Sequence, residues 1–249
     1  LEKSLDVKIQ RWVGGVASKP ELLYRPWKTV LSNGETVPVF FRDNYLSDKM
    51  FGYSEKRTDI SVEEFEDTIL KLRDKTTDLN FIPVVSIIAD GENFWENYSN
   101  DGIDFLNGMY TVLTKYDWLE TITPTGYLQM HGDSLKTIDK LYPASWFEPN
   151  FGTWIGEADE NKAWDYLYQT RIDFEEAKQS GNITDEQIEQ AYEYLLLAEG
   201  SDWFWWYGDD QDSSVDEYFD IAFRTLLSNV YIELNIETPE FLSKPITKS

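Results

Sequence analysis

The chain has 249 residues, 41% hydrophobic and 16% aromatic, enough for one large domain or two modest ones around a sizeable core. Its 46 acidic residues against 22 basic ones give a formal net charge of -24, which repels phosphate backbones and argues against nucleic acid or a membrane as partner, leaving neutral or cationic ligands as the compatible ones. With no cysteine and a single histidine, His131, there is no basis for disulfides or thiolate sites, a His-based metal centre or a Ser-His-Asp triad is a poor fit, and no metal or cofactor is implied.

The chain opens on Leu1 rather than Met, so a processed or excised polypeptide is expected. No signal peptide is visible, and no apolar run approaches the roughly 18 residues of a transmembrane helix. The compartment stays open between extracellular and cytoplasmic.

In chain order, residues 1–36 read as irregular, with Pro20, Pro26 and an Asn33-Gly34 turn signal. "VPVFFRD" reads as a strand ending at Arg42 and Asp43. "SVEEFEDTILKLRDKT" reads as a helix opened by a capping box, Ser61 with Glu64. "FIPVVSIIAD" is a near-continuous apolar run, the pattern of a strand buried on both faces, and it ends at Asp90-Gly91. "DGIDFLNGMYTVLTKY" is a further helix, and "LETITP" a third short strand. Strand, helix, strand, helix, strand is the order of a parallel α/β sheet.

Residues 125–157 are irregular and rich in Trp, Pro and Gly. Helices are then expected over about 159–179, about 184–199 (capping box Thr184 with Gln187) and about 214–235 (capping box Ser214 with Glu217). Three parallel strands do not close a barrel, which needs about eight. The expected class is therefore α/β: the last strands and helices of an incomplete barrel, followed by an α-helical domain. Residues 1–157 would form the barrel segment with its cleft loops, and 158–249 the helical domain.

Chemistry is expected where the apolar runs end. Asp90 closes the second predicted strand, and Glu92, Glu96, Phe94 and Trp95 follow it. In βα barrels that end of a strand carries catalysis. A carboxyl beside aromatic surface keeps a proton it can donate, though a tight Asp-Gly turn would need the same residues. Arg42 and Asp43 end the preceding strand, where an arginine can hold a carboxylate or a sugar hydroxyl; a structural ion pair is the alternative. "GDDQDSSVDEYFD" fails as a calcium loop, because Val215 and Ile221 stand where Gly and Glu are required. Trp146, Trp154 and Trp203 fall between the sheet and the end of the helical region, where rings suit either a core or the faces of a sugar.

These residues resemble glycoside hydrolase family 57, in its α-amylase and amylopullulanase branch. The matching strings are "LLYRPW", "FFRDNYLSD", "VSIIADGENFWE", "DGIDFLNGMY", "TWIGEADENKAWDYL" and "AEGSDWFWWYGDDQ", and the resemblance as a whole runs from about residue 20 to 246. The resemblance implies an incomplete (β/α)7 barrel with a helical domain. It also implies retaining chemistry on α-glucan oligo- or polysaccharides. Asp90 matches the acid/base, and Arg42 a cleft arginine. Asp202 and Trp203 match the last motif, which closes the cleft, and Trp146 and Trp154 resemble cleft aromatics. Asp43, Glu92 and Trp95 are the remaining expected substrate contacts. Phe204, Trp205 and Trp206 would pin the helical domain to the barrel, and Asp209, Asp210 and Asp212 would cap the last helix.

The family's early His-x-His-Gln-Pro motif and the motif carrying its nucleophile have no counterpart in this sequence. Retaining cleavage needs two carboxylates about 5–5.5 Å apart. The chain is therefore expected to need the N-terminal portion of the same enzyme as partner. A non-catalytic α-glucan-binding module is the other reading.

Overall fold

The computed structural model describes every residue except 13, 92–94, 147, 212–213 and 248–249. The chain is mixed α/β and mostly helical, and it divides into two compact units, Leu1–Tyr142 and Pro143–Ser249. That division falls at 142/143, ahead of the 157/158 boundary expected from sequence.

The first unit contains α1 (Glu2–Leu5), α2 (Pro20–Leu23), β1 (Trp27–Val30), β2 (Thr36–Val39), α3 (Asn44–Gly52), α4 (Thr58–Thr76), α5 (Ile103–Leu113), α6 (Pro124–His131) and β3 (Lys136–Thr137). Its sheet has the order β2-β1-β3, with β1 antiparallel to β2 and parallel to β3. The Asn33-Gly34 signal closes the β1–β2 hairpin: Asn33 Oδ1 accepts from Glu35 N at 3.0 Å and Gly34 takes φ +87. Residues 1–36 are therefore not wholly irregular. Pro38, which cannot donate to a ladder, sits on the edge strand, where its missing N–H costs nothing.

The run "FIPVVSIIAD" departs from expectation. Among the described residues it forms no strand, only a single parallel bridge between Arg42 and Ser86. Ile82 and Ile88 are 58% and 52% exposed, so the segment is not buried on both faces. Its alternate residues are fastened instead. Val84 N donates to Tyr24 O at 2.8 Å, Asp43 N donates to Ser86 O at 2.9 Å, and Ile88 N donates to Ser47 Oγ at 2.9 Å. Apolar composition sets the affinity for a sheet, but only a neighbouring ladder makes a strand. "VPVFFRD" likewise stops as a strand at Val39, and 119–123 forms none.

The helices of this unit pack one face each. Phe65, Thr68, Ile69 and Leu72 of α4 are buried at helical spacing, with Leu46 and Met50 of α3 and Phe105 and Val112 of α5 in the same core. α4 opens at Thr58, so Ser61 is an interior residue whose hydroxyl donates to Tyr53 O at 2.9 Å. The Ser61–Glu64 capping box does not form.

The second unit packs α7 (Ala158–Gln179), α8 (Asp185–Ala198), α9 (Ser201–Tyr207) and α10 (Asp216–Glu233) around one apolar core. The Thr184–Gln187 box is present at α8, and Glu157 with Glu160 makes another at α7. α10 starts at Asp216 with Val215 at its N-cap and no side-chain cap, so Ser214 and Glu217 form no box. "SDWFWWY" is itself a helix, α9. Phe204 is fully buried in the core of its own unit, stacked on Trp164 with centroids 3.6 Å apart. Burying such a ring contributes about 2–3 kcal/mol.

Asp43 is the polar anchor of the first unit. It is 0% exposed, caps α3 by accepting from Leu46 N at 3.1 Å, and accepts from Arg11 at 2.8 Å and Tyr24 Oη at 2.9 Å. Asp43→Ala removes the cap and strands the Arg11 and Tyr24 donors. It should cost the chain at least about 2 kcal/mol in urea unfolding. A loss below about 0.5 kcal/mol would contradict this assignment.

Candidate active site

The first unit brings Arg42, Asp43, Asp90 and Trp95 together. Arg42 Nε donates to the Ile88 carbonyl at 3.0 Å, and its Nη2 meets Asp48 Oδ1 at 2.9 Å. The guanidinium therefore lies against the segment that carries Asp90 two residues on. Asp90 is partly buried, and its carbonyl accepts from Trp95 Nε1 at 3.2 Å. That bond ties the indole back across the loop. Glu92 and Phe94 lie outside the described residues.

Trp95 is seated by its surroundings. A Cβ on Gly102, which has φ +75, would fall 2.7 Å from Trp95 Cε3, so the absence of a side chain there makes room for the ring. Tyr98 packs 5.6 Å from Trp95 and 5.1 Å from Phe105, and its hydroxyl donates to the Met50 carbonyl. Burial pushes the Tyr98 phenol well above its ordinary range, so it stays a donor. The aromatic row runs from the core to the indole beside Asp90.

Asp43 supports this arrangement from beneath. Its carboxylate is fully buried and both oxygens are occupied, so it presents no surface to a ligand. The Tyr24 phenol that donates to it is raised by burial and by the Asp43 charge.

The second unit holds the other expected contacts. Trp146 is 53% exposed. Trp154 is half-buried against the core, 5.6 Å from Trp205, and its carbonyl accepts from Trp164 Nε1 at 2.8 Å. Trp203 is half-buried too: its Nε1 donates to the Leu197 carbonyl at 2.8 Å and its ring lies 5.9 Å from Phe219. Asp202 is exposed at the start of α9. Trp146 and Asp202 are thus the accessible members of this set.

Sequence reasoning missed an acidic cluster in this unit. Glu157 caps α7, and the Asp209 amide donates to its carboxylate. Asp210 accepts from Thr153 Oγ1 at 3.4 Å. A Cβ on Gly208 would lie 2.6 Å from Asp210 Oδ1 and 2.9 Å from Glu160 Oε1, so both carboxylates crowd that glycine. Asp209 and Asp210 therefore face α7 and do not cap α10; Asp212 lies outside the described residues. Glu160 is 0% exposed, and its Oε1 has no hydrogen-bond partner among the described residues. Its carboxyl is raised above the ordinary range, first by burial and then by the charges of Glu157, Asp210 and Asp209. The signal was present as "GEADE" and "GDD", but only the fold joins strings so far apart.

Among the described residues no group of three or more His, Cys, Asp or Glu side chains is placed to hold a metal ion, and no helix is long and apolar enough to cross a membrane. Compared with known families, residues 13–139 match the model of glycosyl hydrolase family 57. A search of curated proteins returned no match.

The raised Glu160 carboxyl gives a signed prediction. The folded chain holds a proton that the unfolded chain has already released, so this contribution is complete below the ordinary carboxylate range. It is lost as pH rises through the folded value. Glu160→Gln keeps the shape and removes that loss. It should stabilise the chain at about pH 8 and do little at about pH 4. Thermal unfolding at both pH values reads this out, and a variant with the same gain at each would refute it.

Proposed function

The chain belongs to glycosyl hydrolase family 57, and from that premise we propose that it is part of a retaining α-glucan hydrolase of the amylase or pullulanase type, with Asp90 as acid/base. The observation that carries this reading is the setting of Asp90. It ends a segment pinned at Ser86 and Ile88, with the Arg42 guanidinium on the Ile88 carbonyl and the Trp95 indole on the Asp90 backbone carbonyl. A carboxyl carried on a backbone so held can donate a proton to a glycosidic oxygen and later withdraw one from water. Arg42 would orient the substrate or a partner carboxylate, and Trp95 would offer a ring face near the bond being cleaved. Trp146 and Asp202, being exposed, are the members of the second unit best placed to meet sugar; Trp154 and Trp203 would support them.

Retention requires a second carboxylate, a nucleophile about 5–5.5 Å from the first. Asp43 cannot supply it, because both its oxygens are engaged in a fully buried site. The family's nucleophile motif has no counterpart in these 249 residues. The nucleophile is therefore assigned to an N-terminal portion of the same enzyme, without which this chain does not turn over.

The test is a turnover assay on starch and pullulan with both portions present. Asp90→Asn should lower kcat by about 10²–10⁴-fold while leaving KM within a few-fold. Activity near wild type would remove Asp90 from the mechanism. The exposed Trp146 supports a second reading, a glucan-binding module without catalysis. Saturable quenching of Trp fluorescence by maltooligosaccharides, together with an Asp90→Asn variant of full activity, would favour it.

A further inference from the structure

His131 contributes nothing to the chemistry above, yet it lines a cavity of about 550 Å³ in the first unit. Arg25 and Lys136 line the same cavity, with the Ser134 hydroxyl and the rings of Phe81 and Tyr127. No Asp or Glu is among the lining residues. In a chain whose acids outnumber its bases 46 to 22, this inverts the average surface. Among the described residues none of the three bases takes part in an ion pair.

The groups are held in place. The Arg25 guanidinium lies over Phe81, 3.6 Å from the ring centroid, with Nε donating to Glu21 O at 3.3 Å and Nη2 to Asn80 Oδ1 at 3.5 Å. A planar guanidinium stacked on a ring keeps its orientation, so its donors need no ordering when a ligand arrives. Tyr127 donates to the Ile82 carbonyl at 2.9 Å, and its ring meets His131 one turn along α6 at 4.9 Å. Ser134 donates to the His131 carbonyl at 2.7 Å and closes the turn into β3. Lys136 pairs with Trp27 across the β1–β3 ladder, on the strand that leads out of Arg25.

A guanidinium fixed on a ring, a lysine from the neighbouring strand and an imidazole around one cavity, with no acid among the lining residues, match an anion with several acceptor oxygens. A phosphoryl group has that charge and those oxygens. The cavity is larger than the group itself, and Phe81 and Tyr127 wall the remainder with ring faces. We propose that this cavity binds the phosphoryl group of a small phosphate ester. Arg25 and Lys136 are its charge partners, His131 is a hydrogen-bond donor, and the two rings cover the organic part. The charge of -24 opposes an anion at long range, but salt screens that repulsion beyond about 10 Å at about 0.1 M. The contacts at the site itself act within that distance. This site does not depend on the role given to Asp90.

Calorimetric titration of the full chain tests it, with inorganic phosphate and glucose 1-phosphate as separate probes at an ionic strength fixed by chloride. Both should saturate, and the ester should bind about threefold tighter or more if the rings contribute. Equal affinities would keep the phosphoryl site and make free phosphate its ligand. Lys136→Glu, at an exposed position, should weaken binding by about tenfold or more, and His131→Asn by about threefold, each checked for native circular dichroism. Two variants guard against one failing to fold. No saturable binding of either probe to the native chain would overturn the proposal. So would binding that Lys136→Glu leaves unchanged.

Discussion

A carboxylate withdrawn from water needs partners for its charge and its lone pairs, and Asp43 has them in three directions. Arg11 supplies the opposite charge, Tyr24 a hydroxyl, and the first turn of α3 an amide. Each tie belongs to a different part of the first unit. Arg11 comes from the N-terminal segment, Tyr24 from the end of α2, and Leu46 from α3. The backbone of Asp43 adds a fourth link, its amide donating to Ser86 O. Everything proposed for Asp90 follows from that junction. With α3 capped there, Ser47 stands where its hydroxyl receives Ile88 N, and Arg42 lies where its guanidinium reaches the Ile88 carbonyl. A segment without a ladder of its own is held in line by the start of α3 and by Tyr24.

The second unit solves the opposite problem. Its apolar core is extensive, from Ala163 and Phe174 through Leu195 and Phe204 to Phe223 and Leu227. That core tolerates a cost elsewhere, the crowding of Glu160 with Glu157, Asp209 and Asp210. Balanced polar burial also occurs here. Asp220 is 1% exposed but accepts from Arg224 at 2.8 Å, Tyr207 at 3.2 Å and the Ile246 amide at 3.1 Å. The contrast between Asp220 and Glu160 shows what a buried carboxylate needs. One is neutralised and fully bonded, and the other has its carboxyl raised above the ordinary range.

The helices were legible because burial there is periodic. α7, α8 and α5 fall close to where their apolar spacing puts them, and the Thr184–Gln187 box forms as read. The strands were not, because composition reports preference and not partnership. "FIPVVSIIAD" has the residues of a buried strand and bonds chiefly to α3 and Tyr24. "SDWFWWY" hid a helix, since consecutive rings erase the period that marks an amphipathic face. The family could be picked out from sequence, since the match over residues 13–139 agrees with the resemblance those strings carry. The buried service of Asp43 and the cavity of Arg25, His131 and Lys136 could not. Both join residues distant in sequence, and the second runs against the net charge of the whole chain.

If Asp43 sets the position of the segment that ends in Asp90, loosening one should loosen the other. Amide hydrogen exchange on Asp43→Asn against the native chain measures this directly, since the isosteric change removes the charge and keeps the bulk. The account predicts faster exchange at Val84 and Ile88 together with the first turn of α3, and unchanged protection in α8 and α10. Unchanged protection at Val84 and Ile88 in a variant whose α3 has frayed would contradict it.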